Sequence, residues 1–124
     1  MTEVSTDAAS VVARYFAAFG SGDVVAARQL LQNDLAFHGP IDTFNNADDL
    51  IKSLSALAPI VKGIDQRKVL VDGDDVATFY DMLTPMGRSP IAEWHHVRDG
   101  KIDSINVYFD PRPFAHSSGR MHAG

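Results

Sequence analysis

Five polar side chains stand inside apolar segments of this sequence: Tyr15, His38, Asp81, Glu93 and His95. Together they carry the groups needed for general acid/base chemistry. A carboxyl group held in apolar surroundings has its pKa raised, and an imidazole titrates near neutrality. A carboxylate and a histidine in one cavity can therefore pass a proton. Glu93 and His95 are two residues apart, so a strand sends both to one face, either a pocket or an outer surface. Asp81 shares parity with Phe79 and Leu83, which favours the inside, although Tyr80 and Met82 can equally face in. His38 ends a short apolar run and points either into a pocket or out to solvent. Tyr15 lies in VVARYFAAFGSGD, residues 11–23, where up to Phe19 only Arg14 and Tyr15 break a run apolar on nearly every side. A helix this apolar is buried, and a buried tyrosine hydroxyl usually finds a polar partner. That partner is the backbone, a water or a ligand.

Other chemistries fit less well. There is no cysteine, which excludes disulfides, thiol catalysis and cysteine-built zinc sites. His38, Glu93 and His95 can in principle form a two-histidine, one-carboxylate set, but no spacing demands it, and no metal is expected. His95 and His96 point to opposite faces of a strand and cannot chelate one ion. His116 and His122 fall in a coil-like tail. The glycines form no phosphate-cradling motif, and Asp72, Asp74 and Asp75 around Gly73 lack the ligand ladder of a calcium loop. No cofactor is expected. The net charge of −5 argues against a nucleic-acid partner. No apolar run approaches the roughly 20 residues that span a bilayer. The polar, acidic start MTEVSTDAAS is unlike a signal peptide, so the expected location is cytoplasmic.

The elements that must position these residues come in two blocks. Ser5 or Thr6 with Asp7 starts a helix running to about Phe19, ended by Gly20 and Gly22. Asp23 caps a second helix that reaches about Asn33. Leu35 to His38 reads as a strand stopped by Gly39-Pro40. Asn46 or Ala47 opens a third helix with Leu50, Ile51, Leu54 and Leu57 at helical spacing, ended by Pro59. Strands are then expected over 68–72, 76–84, 91–98 and 102–110. Asp72-Gly73 and Asp99-Gly100 mark hairpin turns, and Pro85-Met86-Gly87 a longer loop. Three helices followed by an antiparallel meander is an α+β pattern. The last strands carry apolar residues on both parities. Such a sheet packs on both sides, one side against the helices and the other most simply against a second subunit.

Two motifs carry a family resemblance. RYFAAFGSGD, residues 14–23, looks like the first helix and turn of ketosteroid isomerase. YFDPRPF, residues 108–114, looks like the end of the last strand in limonene epoxide hydrolase and SnoaL-like polyketide cyclases. The chain resembles the nuclear transport factor 2-like superfamily over roughly residues 8–114. The resemblance implies a single domain over 1–114 with a tail at 115–124: three helices in the concave face of a curved, mostly antiparallel sheet. It also implies an apolar pocket, lined here by Phe19, Phe37, Phe79, Val107 and Phe109, and a homodimer through the outer sheet face. Tyr15 sits where the isomerase has its oxyanion-hole tyrosine, and Glu93 falls near that enzyme's neutral carboxylic acid. The isomerase's general base, an Asp before a Pro, reads here as Gly39 before Pro40. The last-strand Asp of the hydrolases and cyclases aligns with Val107, and the hydrolase Arg with Tyr80 or Asp81. The expected function is binding of a small hydrophobic ligand bearing a carbonyl or hydroxyl. Two forms follow: a cofactor-independent isomerase, cyclase, hydratase or epoxide-hydrolase-like enzyme, or a non-catalytic binding or dimerisation module.

Overall fold

The computed structural model describes residues 7–112. The expectations for Phe114, His116 and His122 lie outside the described residues. Helix α1 spans Ala8–Gly20 and is capped by Asp7, whose side chain accepts from the Ser10 N–H at 2.8 Å. It buries Val11, Val12, Tyr15, Phe16 and Phe19, the stripe expected of a helix with one face in a core. Gly22, at φ +79°, ends the turn after it in the left-handed region that glycine tolerates. Asp23 caps helix α2, Val24–Gln29.

Helix α2 stops earlier than the sequence pattern suggests. Strand β1 already begins at Leu31 and runs Leu31–His38. Leu31 pairs with Ile102 and neither is exposed to solvent, so strand pairing in the core overrides a helical preference here. A two-residue strand, β2 (Thr43–Phe44), escapes detection in the sequence because it is so short. Helix α3 is Ala47–Leu57, capped by Asn46, and a single 3-10 turn, Ala58–Ile60, follows. Strands β3 (Gly63–Asp72), β4 (Asp75–Thr84), β5 (Gly87–Arg98) and β6 (Lys101–Tyr108) follow.

The six strands of the described residues form one sheet in the order β2-β1-β6-β5-β4-β3. Only β1 against β6 is parallel. Two of the expected turns are tight hairpins: Gly73 lies at φ +60°, and Asp99 and Gly100 at +54° and +78°, the primed geometry that suits strand twist. The segment expected as a longer loop is also a tight turn. Thr84 pairs with Gly87 across Pro85-Met86, and the Met86 N–H donates to Thr84 Oγ1 at 3.1 Å.

The sheet has two distinct faces. On β4 the inner face carries Val76, Thr78, Tyr80 and Met82; on β5 it carries Ile91, Glu93, His95 and Val97; on β6 it carries Ile102, Ile105 and Val107. Helix α1 lies across β3 to β6 on that face, and α3 lies across β1 and β2. The outer face exposes Phe79, Trp94 and Tyr108. The architecture is α+β, three helices on one face of a mostly antiparallel sheet. No helix among the described residues is long and apolar enough to cross a membrane.

Candidate functional site

A cavity of about 230 Å3 opens between α1, α3 and the inner face of the sheet. Its walls include Phe19, Phe37, Leu54, Ile91, Val107 and Phe109. Its polar lining is sparse: Tyr15, Tyr80 and Glu93 at the buried end, and Ser53 and Asp42 toward the open end. The volume is below the ~300–1,000 Å3 of pockets that take drug-sized molecules. A one- or two-ring compound is the right size.

At the buried end the Tyr80 hydroxyl donates to Glu93 Oε2 at 2.5 Å. The other carboxyl oxygen, Oε1, lies 3.1 Å from His95 Nε2. That contact is close enough for an ion pair but misaligned for a hydrogen bond, so neither imidazole nitrogen has a hydrogen-bond partner among the described residues. His95 is completely buried behind the cavity, its ring 5.5 Å from that of Tyr15 and 5.4 Å from that of Phe16.

Tyr15 is 3% exposed, yet its hydroxyl makes no hydrogen bond to any described residue and the side chain lines the cavity. Burial, reinforced by the nearby Glu93 charge, holds the Tyr15 hydroxyl well above the usual phenol range. Burial does the same for Tyr80, with the Glu93 charge and the hydrogen bond adding to it. Both groups are hydrogen-bond donors throughout the physiological range. A neutral donor facing an apolar cavity is suited to hold a carbonyl or hydroxyl oxygen.

Of the residues singled out from the sequence, Tyr15 and Glu93 reach the cavity, with His95 in the layer behind them. Phe19, Phe37, Val107 and Phe109 line it. Three expectations need correction. His38 is exposed: Phe37 pairs with Phe44 and His38 with Thr43, and alternation puts His38 on the face away from the cavity. The set of His38, Glu93 and His95 therefore does not assemble around an ion. Asp81 and Phe79 occupy the outer face, because Tyr80 and Met82 take the inner parity of β4. Asp81 instead accepts from Arg67 Nη1 at 2.7 Å and Arg88 Nη1 at 2.8 Å. Its side chain is only 6% exposed although it sits at shallow depth, because the two guanidinium groups cover it. The Arg88 hydrogen bond, with Arg67 adding to it, outweighs that desolvation and lowers the Asp81 pKa.

Two ionisable cavity residues, Tyr80 and Asp42, carry no site assignment from the sequence. Tyr80 has a usable signal, since the alternation of β4 must put either Tyr80 or Asp81 inside. Asp42 has a weaker one: it lies two residues beyond Pro40, across a turn whose closure is visible only in three dimensions. The Gly39 N–H donates to the Asp42 carbonyl at 2.9 Å, closing that turn. Gly39 itself lines the cavity, and a Cβ there would meet the Phe37 ring at 3.3 Å.

Comparison with solved structures agrees with this architecture. A protein from Kribbella flavida is 25% identical, with a TM-score of 0.85 over 97% of this chain and 100% of that one. An NTF2-like protein of unknown function from Cytophaga hutchinsonii is 24% identical, with a TM-score of 0.79 over 91% of this chain and 96% of that one. An LEH-like epoxide hydrolase from M. tuberculosis is 19% identical, with a TM-score of 0.73 over 93% of this chain and 91% of that one, a likeness of fold. No curated protein sequence matches the chain. The SnoaL-like domain family matches residues 12–105, a span that holds most of α1, including Tyr15, and the Tyr80–Glu93 pair. This chain belongs to the SnoaL-like family of the nuclear transport factor 2-like superfamily.

Proposed function

We propose that this chain, as a single domain over residues 1–114 working in the cytoplasm, binds a one- or two-ring hydrophobic molecule bearing a carbonyl or hydroxyl oxygen. It acts on that molecule by cofactor-independent acid/base chemistry of the isomerase, cyclase or hydratase type. The observation that carries this reading is the Tyr15 hydroxyl, buried, facing an apolar cavity and bonded to no described residue. A phenylalanine would fill the same space, so packing does not account for the oxygen. In this reading Tyr15 donates a hydrogen bond to the ligand oxygen and stabilises the negative charge that develops there. Glu93 takes a proton from one atom of the ligand and returns it to another, oriented by the Tyr80 hydrogen bond, with His95 behind it.

The test is turnover of β,γ-enones, epoxides and aromatic polyketide-like esters by the purified protein. One class should be turned over, with Tyr15→Phe slowing it about 100-fold, the scale of losing one oxyanion donor. Glu93→Gln should abolish it. Tight binding without turnover of any class supports a second reading, a non-catalytic binding module. That reading is favoured by Gly39 and Val107, which stand where the resemblance implies acids and carry no carboxylate themselves.

The outer sheet face is the proposed homodimer surface. Phe79, Trp94 and Tyr108 are 42%, 47% and 56% exposed on adjacent strands, a cluster of large apolar side chains on one face. A monomeric mass by light scattering at micromolar concentration rejects this assignment.

A further inference from the structure

We infer that the cavity takes an uncharged or cationic ligand and rejects anions, with Asp42 holding an ammonium group at its open end. This rests on the small-molecule reading above and specifies the charge class of the ligand.

The ionisable residues that line the cavity are Tyr15, Asp42, Tyr80 and Glu93; no Lys, Arg or His among the described residues lines it. Four arginines of the described residues are engaged elsewhere. Arg67 and Arg88 sit on the outer face against Asp81, Arg28 is paired with Asp48, and Arg112 with Asp110. An anion at the buried end therefore loses its hydration, meets Glu93 and gains no opposite charge. The raised pKa of both tyrosines reports the same two penalties acting on a phenolate at that place.

Asp42 reaches the cavity for a geometric reason. Phe37 pairs with Phe44 and His38 with Thr43, and the turn closes with the Gly39 N–H on the Asp42 carbonyl. Residues facing each other across a hairpin project to the same side, so Phe37, Gly39, Asp42 and Phe44 share the inner face. Gly39 has no side chain to fill the space opposite Asp42. The Asp42 carboxylate has no hydrogen bond or ion pair to any described residue. It is available to a ligand donor, and the Phe37 ring on the same face presents a π surface to a cation.

The experiment is calorimetric titration at pH 7 with three matched probes: 2-naphthalenemethanol, 2-naphthylmethylammonium and 2-naphthoate. The carboxylate should bind at least about tenfold more weakly than the alcohol, as expected for like charges brought together. The ammonium should bind about two- to fivefold more tightly than the alcohol, the scale of a partly exposed ion pair. Asp42→Asn should erase the ammonium preference and leave the alcohol within about twofold, since Tyr15 holds the alcohol oxygen and the substitution keeps the backbone carbonyl that closes the turn. Naphthoate binding as well as the alcohol overturns the inference, and so does an ammonium preference that survives in Asp42→Asn. Failure of the alcohol itself to bind overturns the pocket reading, and the inference with it.

Discussion

Replacing Tyr15 and Tyr80 one at a time by phenylalanine removes a single oxygen from each, at the same end of one cavity, with opposite consequences for stability. Both side chains are 3% exposed, so the apolar burial of the ring is preserved in each variant. Tyr80→Phe removes the donor that sits 2.5 Å from Glu93 Oε2 and leaves a buried carboxyl oxygen without its partner. The cost is about 1–3 kcal/mol, spanning the range from a neutral to a charged acceptor. Tyr15→Phe removes a hydroxyl that bonds no described residue, so stability should stay within about 0.5 kcal/mol of the parent or rise slightly. Binding should respond the other way. Tyr15→Phe should weaken an oxygen-bearing ligand such as 2-naphthalenemethanol by about 5- to 15-fold, one lost hydrogen bond. The assay is urea unfolding followed by circular dichroism, with a shared slope across parent and variants. A loss above about 1 kcal/mol in Tyr15→Phe would falsify the reasoning, because the hydroxyl would then be serving the fold. An unchanged midpoint in Tyr80→Phe would equally remove the Tyr80–Glu93 bond as an organising contact.

Three further outcomes follow from the same contacts. Arg88, with Arg67, holds the folded-state pKa of Asp81 below its ordinary value, so this stabilisation is complete above the unfolded pKa and is lost as pH falls through the folded one; Asp81→Asn should flatten the acid limb of a stability-versus-pH curve, and an identical limb in the variant argues against the pair. His96 is shifted the other way by its 2.7 Å contact with Asp103, so that contribution is present below the unfolded pKa and lost as pH rises through the raised one; the His96 midpoint, followed by NMR, should fall in Asp103→Asn. Asn46 caps α3 by accepting the Asp49 N–H at 2.8 Å, so Asn46→Ala should cost about 1 kcal/mol in the same urea experiment, and a neutral result would show the cap to be dispensable.

How much could be read from the sequence depended on how local each signal was. Asp7, Asp23 and Asn46 announce helix starts because a cap acts within three residues of itself. The Asp99-Gly100 turn is legible because two left-handed residues in a row admit few residue types. The helical pattern of α2 extends too far in the sequence because Leu31 is decided by Ile102, about seventy residues away. Residues Glu93 and His95 were placed together by strand alternation alone, but alternation cannot say which face is inside. For β4 the same ambiguity sent Asp81 and Phe79 to the wrong side. Two arginines from β3 and β5 satisfy Asp81 on the outer face, and no pattern within β4 records them.

By itself the sequence determined the order of elements, the α+β class, the family motif around Tyr15 and the shared face of Glu93 and His95. These follow from hydrophobic period, capping and turn chemistry, all set by neighbours in the chain. Only the tertiary structure decided which oxygen atoms meet. It brought Tyr80 onto Glu93, left the Tyr15 hydroxyl unbonded at the cavity and turned Asp42 toward the gap opposite Gly39. The physical reason is that hydrogen bonds act over about 3 Å between atoms whose positions depend on the whole sheet and the helices packed against it.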